Sequence, residues 1–180
     1  MNTSVTIRSA TLNDTHAIAI VQVAVWNSAY KGLVPDALIE RMSVFDREKG
    51  WAKILSAYAE TAAGVCFVAE IDGVVQGFAS CGQQRDPDLA NEYAGEISAI
   101  YVQGDHQRAG LGRALMEACS EAMSDMKLQG TALWVLSANE PARAFYKALG
   151  AELITERRDD RPDGALSEVA YGWPVRADLA

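Results

Sequence analysis

Three cysteines in 180 residues, no run of lysine or arginine, no long apolar stretch and no low-complexity tract remove several classes of protein at once. Cys66, Cys81 and Cys119 are odd in number, lie far apart, and form neither a C-x-x-C pair nor a metal-like cluster with His16 or His106. No disulfide framework and no metal site is expected, and reduced thiols fit a cytoplasmic protein. With 16 basic against 24 acidic residues the net charge is −8, opposite in sign to the footprint of a nucleic-acid binder. The same acidity slightly favours cationic partners such as amines. The most apolar stretch, residues 17–26, is interrupted by Gln22 and has about half the length needed to span a bilayer. Val5, Thr6, Ile7 and Arg8 alternate near the N-terminus, unlike the basic start and apolar core of a signal peptide. No nucleic acid and no membrane is expected among the partners.

What is present is a chain that can fold without staples. Hydrophobic residues make up 49% of it, and at this length roughly 70% of the unfolded surface can be buried. No internal repeat or Pro/Ser-rich linker divides it, so residues 1–180 read as a single domain.

Residues 5–8 read as a strand, followed by the capping-box pattern Thr11-x-x-Asp14 and a helix carrying Ile18, Val21, Val25 and Tyr30. Lys31-Gly32-Leu33-Val34-Pro35 breaks that helix. Pro35 opens a short second one, and a third carries Trp51, Ile54, Leu55 and Tyr58. Residues 65–70 and 74–80 flank Asp72-Gly73, a strong hairpin signal that predicts antiparallel pairing. A β-rich run over 96–102 leads into a glycine-containing loop. Leu111, Leu115, Ala118, Ala122 and Met126 then recur at helical spacing as far as Gly130. Residues 131–136 form another strand, Asn139 and Pro141 open a helix that Gly150 ends, and 151–156 and 166–173 close the chain as a second hairpin across the turn-rich 159–164. The expected fold is therefore α/β: one mixed central sheet of about seven strands with helices on both faces.

The segment that carries chemistry is Gln107-Arg108-Ala109-Gly110-Leu111-Gly112, between a strand and a long amphipathic helix. A helix start leaves about four backbone N–H groups unpaired and carries roughly half a positive charge, which suits a diphosphate. Glycines let phosphate oxygens approach the main chain, and Arg108 and Arg113 add local positive charge. The P-loop pattern has no match. A dinucleotide fingerprint fits poorly, because Leu115 stands where a small residue belongs and Leu136 where an acidic one does. Glycines that merely allow a tight strand-to-helix turn remain the plain alternative at this point.

Gln107-x-x-Gly110-x-Gly112 after Ile100-Tyr101-Val102 resembles the acetyl-CoA signature of the GNAT superfamily of N-acetyltransferases, and Asn139 followed by Ala144-Phe145-Tyr146-Lys147-Ala148-Leu149-Gly150 resembles its second motif. The resemblance implies acetyl-CoA as cosubstrate, with its diphosphate on residues 107–113. The sheet would splay between the strands at 96–102 and 131–136. The pantetheine arm would enter that gap against backbone groups of Ile100, Tyr101 and Val102, with Asn139 also in contact. Acetyl would pass to a primary amine, on a small molecule or a peptide, by direct attack in a ternary complex.

An ammonium must lose a proton before it attacks a thioester. Glu96 occupies the position where several relatives carry a carboxylate base; a strand-end glutamate in solvent, with water as the base, is the alternative. Tyr146 matches the tyrosine that relatives place near the departing thiolate, with a plain core aromatic beside Phe145 as the alternative. Trp26 and Tyr30 are acceptor-pocket candidates that also suit packing partners at i and i+4. A non-catalytic acyl-CoA-binding module is the competing function. The C-terminal hairpin offers an edge on which a homodimer could pair.

Overall fold

The computed structural model describes residues 4–160 and 164–174. Its chain order is β1 (Val5–Ser9), α1 (Thr15–Ala29), α2 (Asp36–Glu40), α3 (Val44–Thr61), β2 (Gly64–Ile71), β3 (Val74–Gln83), β4 (Gly95–Val102), α4 (Leu111–Asp125), β5 (Thr131–Leu136), α5 (Glu140–Ala148), β6 (Glu152–Asp159) and β7 (Leu166–Trp173). Seven strands form one sheet in the order β1-β2-β3-β4-β5-β7-β6. β4 and β5 are its parallel pair; the other neighbours run antiparallel. The mixed α/β fold expected from the sequence is the fold observed.

Local chemistry explains most element ends. Asp72 and Gly73 both take positive φ, 50° and 79°, the backbone that a two-residue hairpin turn needs. The Asp14 carboxylate accepts from the Thr11 backbone N–H at 2.7 Å, but this closure forms a 3-10 turn over Leu12–Asp14, and α1 begins only at Thr15. Ser43 caps α3 by accepting from the Asp46 N–H at 3.1 Å. β6 runs on to Asp159, past the end at residue 156 expected for it. The expected turn at 159–164 includes residues 161–163, which lie outside the described residues.

α1 and α3 cover one face of the sheet through Ile18, Val21, Val25, Trp51 and Leu55, packed on Cys66, Val68 and Phe78. Ile54, expected to face inward with them, is 38% exposed. On the other face Leu111, Leu115, Cys119 and Met123 of α4 and Tyr146 of α5 pack over Ile97, Leu133, Val135 and Tyr171. Full burial of side chains such as Ile18, Phe78 and Leu115 stabilises the fold by roughly 1.5–3 kcal/mol each. All three cysteines are buried and unbridged. Burial pushes the Cys66 thiol up to about 12, and a hydrogen bond with Cys81 together with burial raises Cys119. Neither Cys66 nor Cys119 is therefore poised as a reactive thiolate.

Candidate active site

β4 and β5 pair at two positions, Gly95 with Thr131 and Glu96 with Ala132. Beyond them the strands part, each held by its outer neighbour, β3 for β4 and β7 for β5. A register shift opposite Ser80 and Cys81 leaves Ser98 as the extra residue between Ile97 and Ala99, and such a bulge turns a strand away from its former plane. Ile100, Tyr101 and Val102 thus lie on the open edge of β4, facing the gap.

Above the gap the chain enters α4 through the loop that the sequence marked. Arg108 and Gly110 have φ of 63° and 85°, and left-handed residues in such a loop turn backbone N–H groups toward one concave side. Gly110 is the N-cap residue, no side chain caps the helix, and its first turn holds no acidic residue. The Gln107 side-chain amide donates to the Val102 carbonyl at 3.1 Å, which ties the loop to the end of β4. Among the described residues neither Arg108 nor Arg113 is in an ion pair, and both are exposed. Uncapped amides and two unpaired guanidinium groups suit a diphosphate. Leu111 is buried and anchors the turn in the core, while Ala109 is exposed on the loop. Gly112 is needed for a different reason from Gly110: a Cβ there would stand 3.2 Å from the Phe145 ring of α5.

Three phenols, of Tyr30 at the end of α1, Tyr101 of β4 and Tyr146 of α5, lie near one another. The Trp26 indole donates to the Tyr101 hydroxyl at 3.3 Å, and its ring stacks on Tyr30, with centroids 4.7 Å apart and planes 6° from parallel. Burial raises the Tyr30 phenol, the Tyr101 and Tyr146 phenols push it further up, and the Asn139 side chain opposes them in part. Burial, assisted by Tyr101, raises Tyr146 as well, so this hydroxyl keeps its proton through the neutral range. Asn139 meanwhile caps α5, its side-chain oxygen accepting from the Ala142 N–H at 3.2 Å. Trp26, Tyr30, Tyr101, Asn139 and Tyr146 therefore form one cluster, although they span 120 positions of the chain.

Glu96 stands at the closed end of the gap. Its oxygens accept from Arg85, Nε at 2.8 Å, Nη2 at 2.8 Å and the backbone N at 3.2 Å. The sequence reading missed Arg85, which lies in an aperiodic loop where only a long-range contact distinguishes it. Tyr101 is named by the sequence only for its strand backbone, and the part its side chain plays with Trp26 is not legible there. His16 pairs with Glu48 at 2.8 Å on the surface, away from this cluster. Among the described residues no group of histidine, cysteine and carboxylate side chains could hold a metal, and no helix is long and apolar enough to cross a membrane.

Comparison with known proteins agrees with this geometry. An uncharacterized N-acetyltransferase of Bacillus subtilis is 32% identical over 170 residues, covering 94% of this chain and 93% of that protein. The PaiA N-acetyltransferase of Thermoplasma acidophilum, solved with coenzyme A, superposes with a TM-score of 0.74 at 16% identity, over 94% of this chain and 99% of its own. YncA of Salmonella typhimurium, solved with acetyl-CoA as its cofactor, superposes with a TM-score of 0.72 at 22% identity, over 98% of this chain and 97% of its own. The profile of the acetyltransferase (GNAT) family matches residues 26–151, from Trp26 to the end of the second motif. The chain thus belongs to the GNAT family of acetyltransferases, and it is an acyltransferase.

Proposed function

We propose that this acetyltransferase moves acetyl from acetyl-CoA directly to a primary amine, both bound at once across the gap between β4 and β5. The observation that carries the reading is the parting of β4 from β5 after Glu96 and Ala132, directly below an uncapped helix start that suits a diphosphate. Backbone N–H groups from Gln107 to Arg113 hold the diphosphate, and Arg108 and Arg113 add charge. The open edge of β4 at Ile100–Val102 receives the pantetheine amides as an added strand would be received, with Asn139 on the facing side. A main-chain N–H of that edge meets the developing oxyanion, a preorganised donor of a kind whose loss costs roughly 3 kcal/mol.

Proton traffic divides between two side chains. Tyr146, held protonated by burial, donates to the departing thiolate. Glu96 takes the proton of the acceptor ammonium through a water molecule. Trp26 and Tyr30 form the wall against which the acceptor lies, and the bond to Tyr101 fixes the indole. The acceptor class is a small or peptide amine, with cationic ones favoured by the net charge of −8.

The test is to incubate the protein with acetyl-CoA and a panel of small and peptide amines while following free CoA thiol. Thiol release with at least one amine, together with the acetylated amine by mass, is expected. Acetyl-CoA binding without release for any amine would instead identify a non-catalytic acyl-CoA-binding module.

A further inference from the structure

The loop between β3 and β4 places two neighbouring residues on opposite sides of the gap. Arg85 reaches β4 and grips Glu96 with three donors. Asp86 reaches the other way: its Oδ2 accepts from the Trp134 indole of β5 at 3.0 Å and from Arg157 Nη1 of β6 at 3.1 Å. Arg157 lies over the Trp134 ring at 3.9 Å and also pairs with Glu168 of β7 at 2.9 Å. The Arg85 side chain is itself 72% exposed, but the residue next to it, Asp86, is tied into a brace that spans three strands, and the Arg85 fork lies on a glutamate whose side chain is only 12% exposed.

We propose that Arg85 is a positioning residue for deprotonation of the acceptor, fixing the Glu96 carboxylate at the closed end of the gap and supplying its counter-charge. The inference rests on the reading of Glu96 as the base. The contacts leave the base usable: Oε2 accepts twice, from Nε and the backbone N, whereas Oε1 accepts once and keeps a lone pair free. A proton leaving the acceptor nitrogen passes to a water molecule, that water gives one of its own to Oε1, and the amine lone pair is released for attack. Arg85 faces Glu96 from the loop, the Tyr58 phenol of α3 lies near Arg85, and the cross-strand partners are Gly82 of β3 and Ala132 of β5, which carry no charge. Without Arg85 the carboxylate would be left largely buried with no cation beside it, and burial disfavours the ionised form.

The experiment compares Arg85→Gln, Arg85→Lys, Glu96→Gln and the double variant Arg85→Gln/Glu96→Gln with the parent protein. Initial rates of thiol release are read at saturating acetyl-CoA from pH 5.5 to 9, each divided by the parent rate at the same pH so that ionisation of the acceptor cancels. For Arg85→Gln the ratio is expected to fall severalfold from the alkaline to the acid end, because loss of a contacting opposite charge disfavours the ionised carboxylate. Arg85→Lys should restore most of the rate, the KM for acetyl-CoA should not change, and the double variant should be no slower than Glu96→Gln. A pH-independent ratio for Arg85→Gln alongside an impaired Glu96→Gln would overturn the role of Arg85 and leave the base in place. Parent-like rates for Glu96→Gln would overturn the base itself, and the inference with it.

Discussion

Gly112 of α4 lies against the ring of Phe145 of α5, so close that a Cβ on residue 112 would be 3.2 Å from Cζ. This contact sets how near the first turn of α4 comes to α5, the two helices that flank the gap proposed to take the cosubstrate. Gly112→Val is therefore expected to raise the dissociation constant for CoA at least about tenfold, because a well-packed contact forced apart costs on the order of 1–3 kcal/mol. Calorimetric titration with CoA would show it. Gly112→Ala/Phe145→Leu should bind more tightly than Gly112→Ala alone; equal affinities would show that the contact is not what the glycine protects.

Gly110 separates two effects that Gly112 cannot. Its Cβ would meet nothing within 4 Å, but its φ of 85° is left-handed. Gly110→Ala should thus destabilise the protein by about 1–2 kcal/mol through backbone strain. Gly110→Asp adds a negative charge beside the proposed diphosphate site and should weaken CoA binding well beyond the alanine variant. The two are separated by measuring thermal unfolding with and without CoA. Unchanged CoA affinity in Gly110→Asp would move the diphosphate elsewhere.

Tyr146→Phe keeps the ring contacts with Phe145, Tyr171 and Trp173 and removes only the hydroxyl. Turnover is expected to fall by roughly a hundredfold, the lower range for loss of a general acid, with little change in the KM for acetyl-CoA. Because burial holds the Tyr146 pKa above its ordinary value, the parent enzyme should show no loss of rate from this group as pH rises to about 10, where a free tyrosine ionises. A steady decline beginning near neutrality that disappears in Tyr146→Phe would contradict that assignment.

Asp14 gives the fold a measurable acid sensitivity away from the active site. Hydrogen bonding to Arg8 holds its carboxyl at about 2, against the opposition of burial, with Thr11 assisting. A carboxylate depressed in the folded state contributes stability that is complete above its unfolded value and disappears as pH falls through the folded one. Stability equivalent to about 2 kcal/mol should therefore be lost between roughly pH 5 and pH 2, and the loss should be smaller in Asp14→Asn. Denaturant titrations across that window measure both. Identical pH dependence in the two proteins would assign the acid lability to other carboxylates.

Several of these features could be read from residues adjacent in the chain. Asp72-Gly73 announced its hairpin because two positive φ angles are a property of two residues. Gly110 and Asn139 announced helix starts for the same local reason. The resemblance of Gln107-x-x-Gly110-x-Gly112 to a known signature carried the cosubstrate. Where the sequence reading departed from the structure, the competing effect was local geometry or packing: a 3-10 turn took the place of the first turn of α1, and Ile54, apolar and in helical register, faced outward on α3.

The order of elements, the turn chemistry and the glycine loop before α4 follow from the chain alone, since these depend on φ preferences and hydrogen bonds within a few residues. Tertiary structure decided the parting of β4 from β5, the bond from Trp26 to Tyr101, and the grip of Arg85 on Glu96. Those depend on strand register and on packing of distant segments, so no window of the chain contains both partners at once.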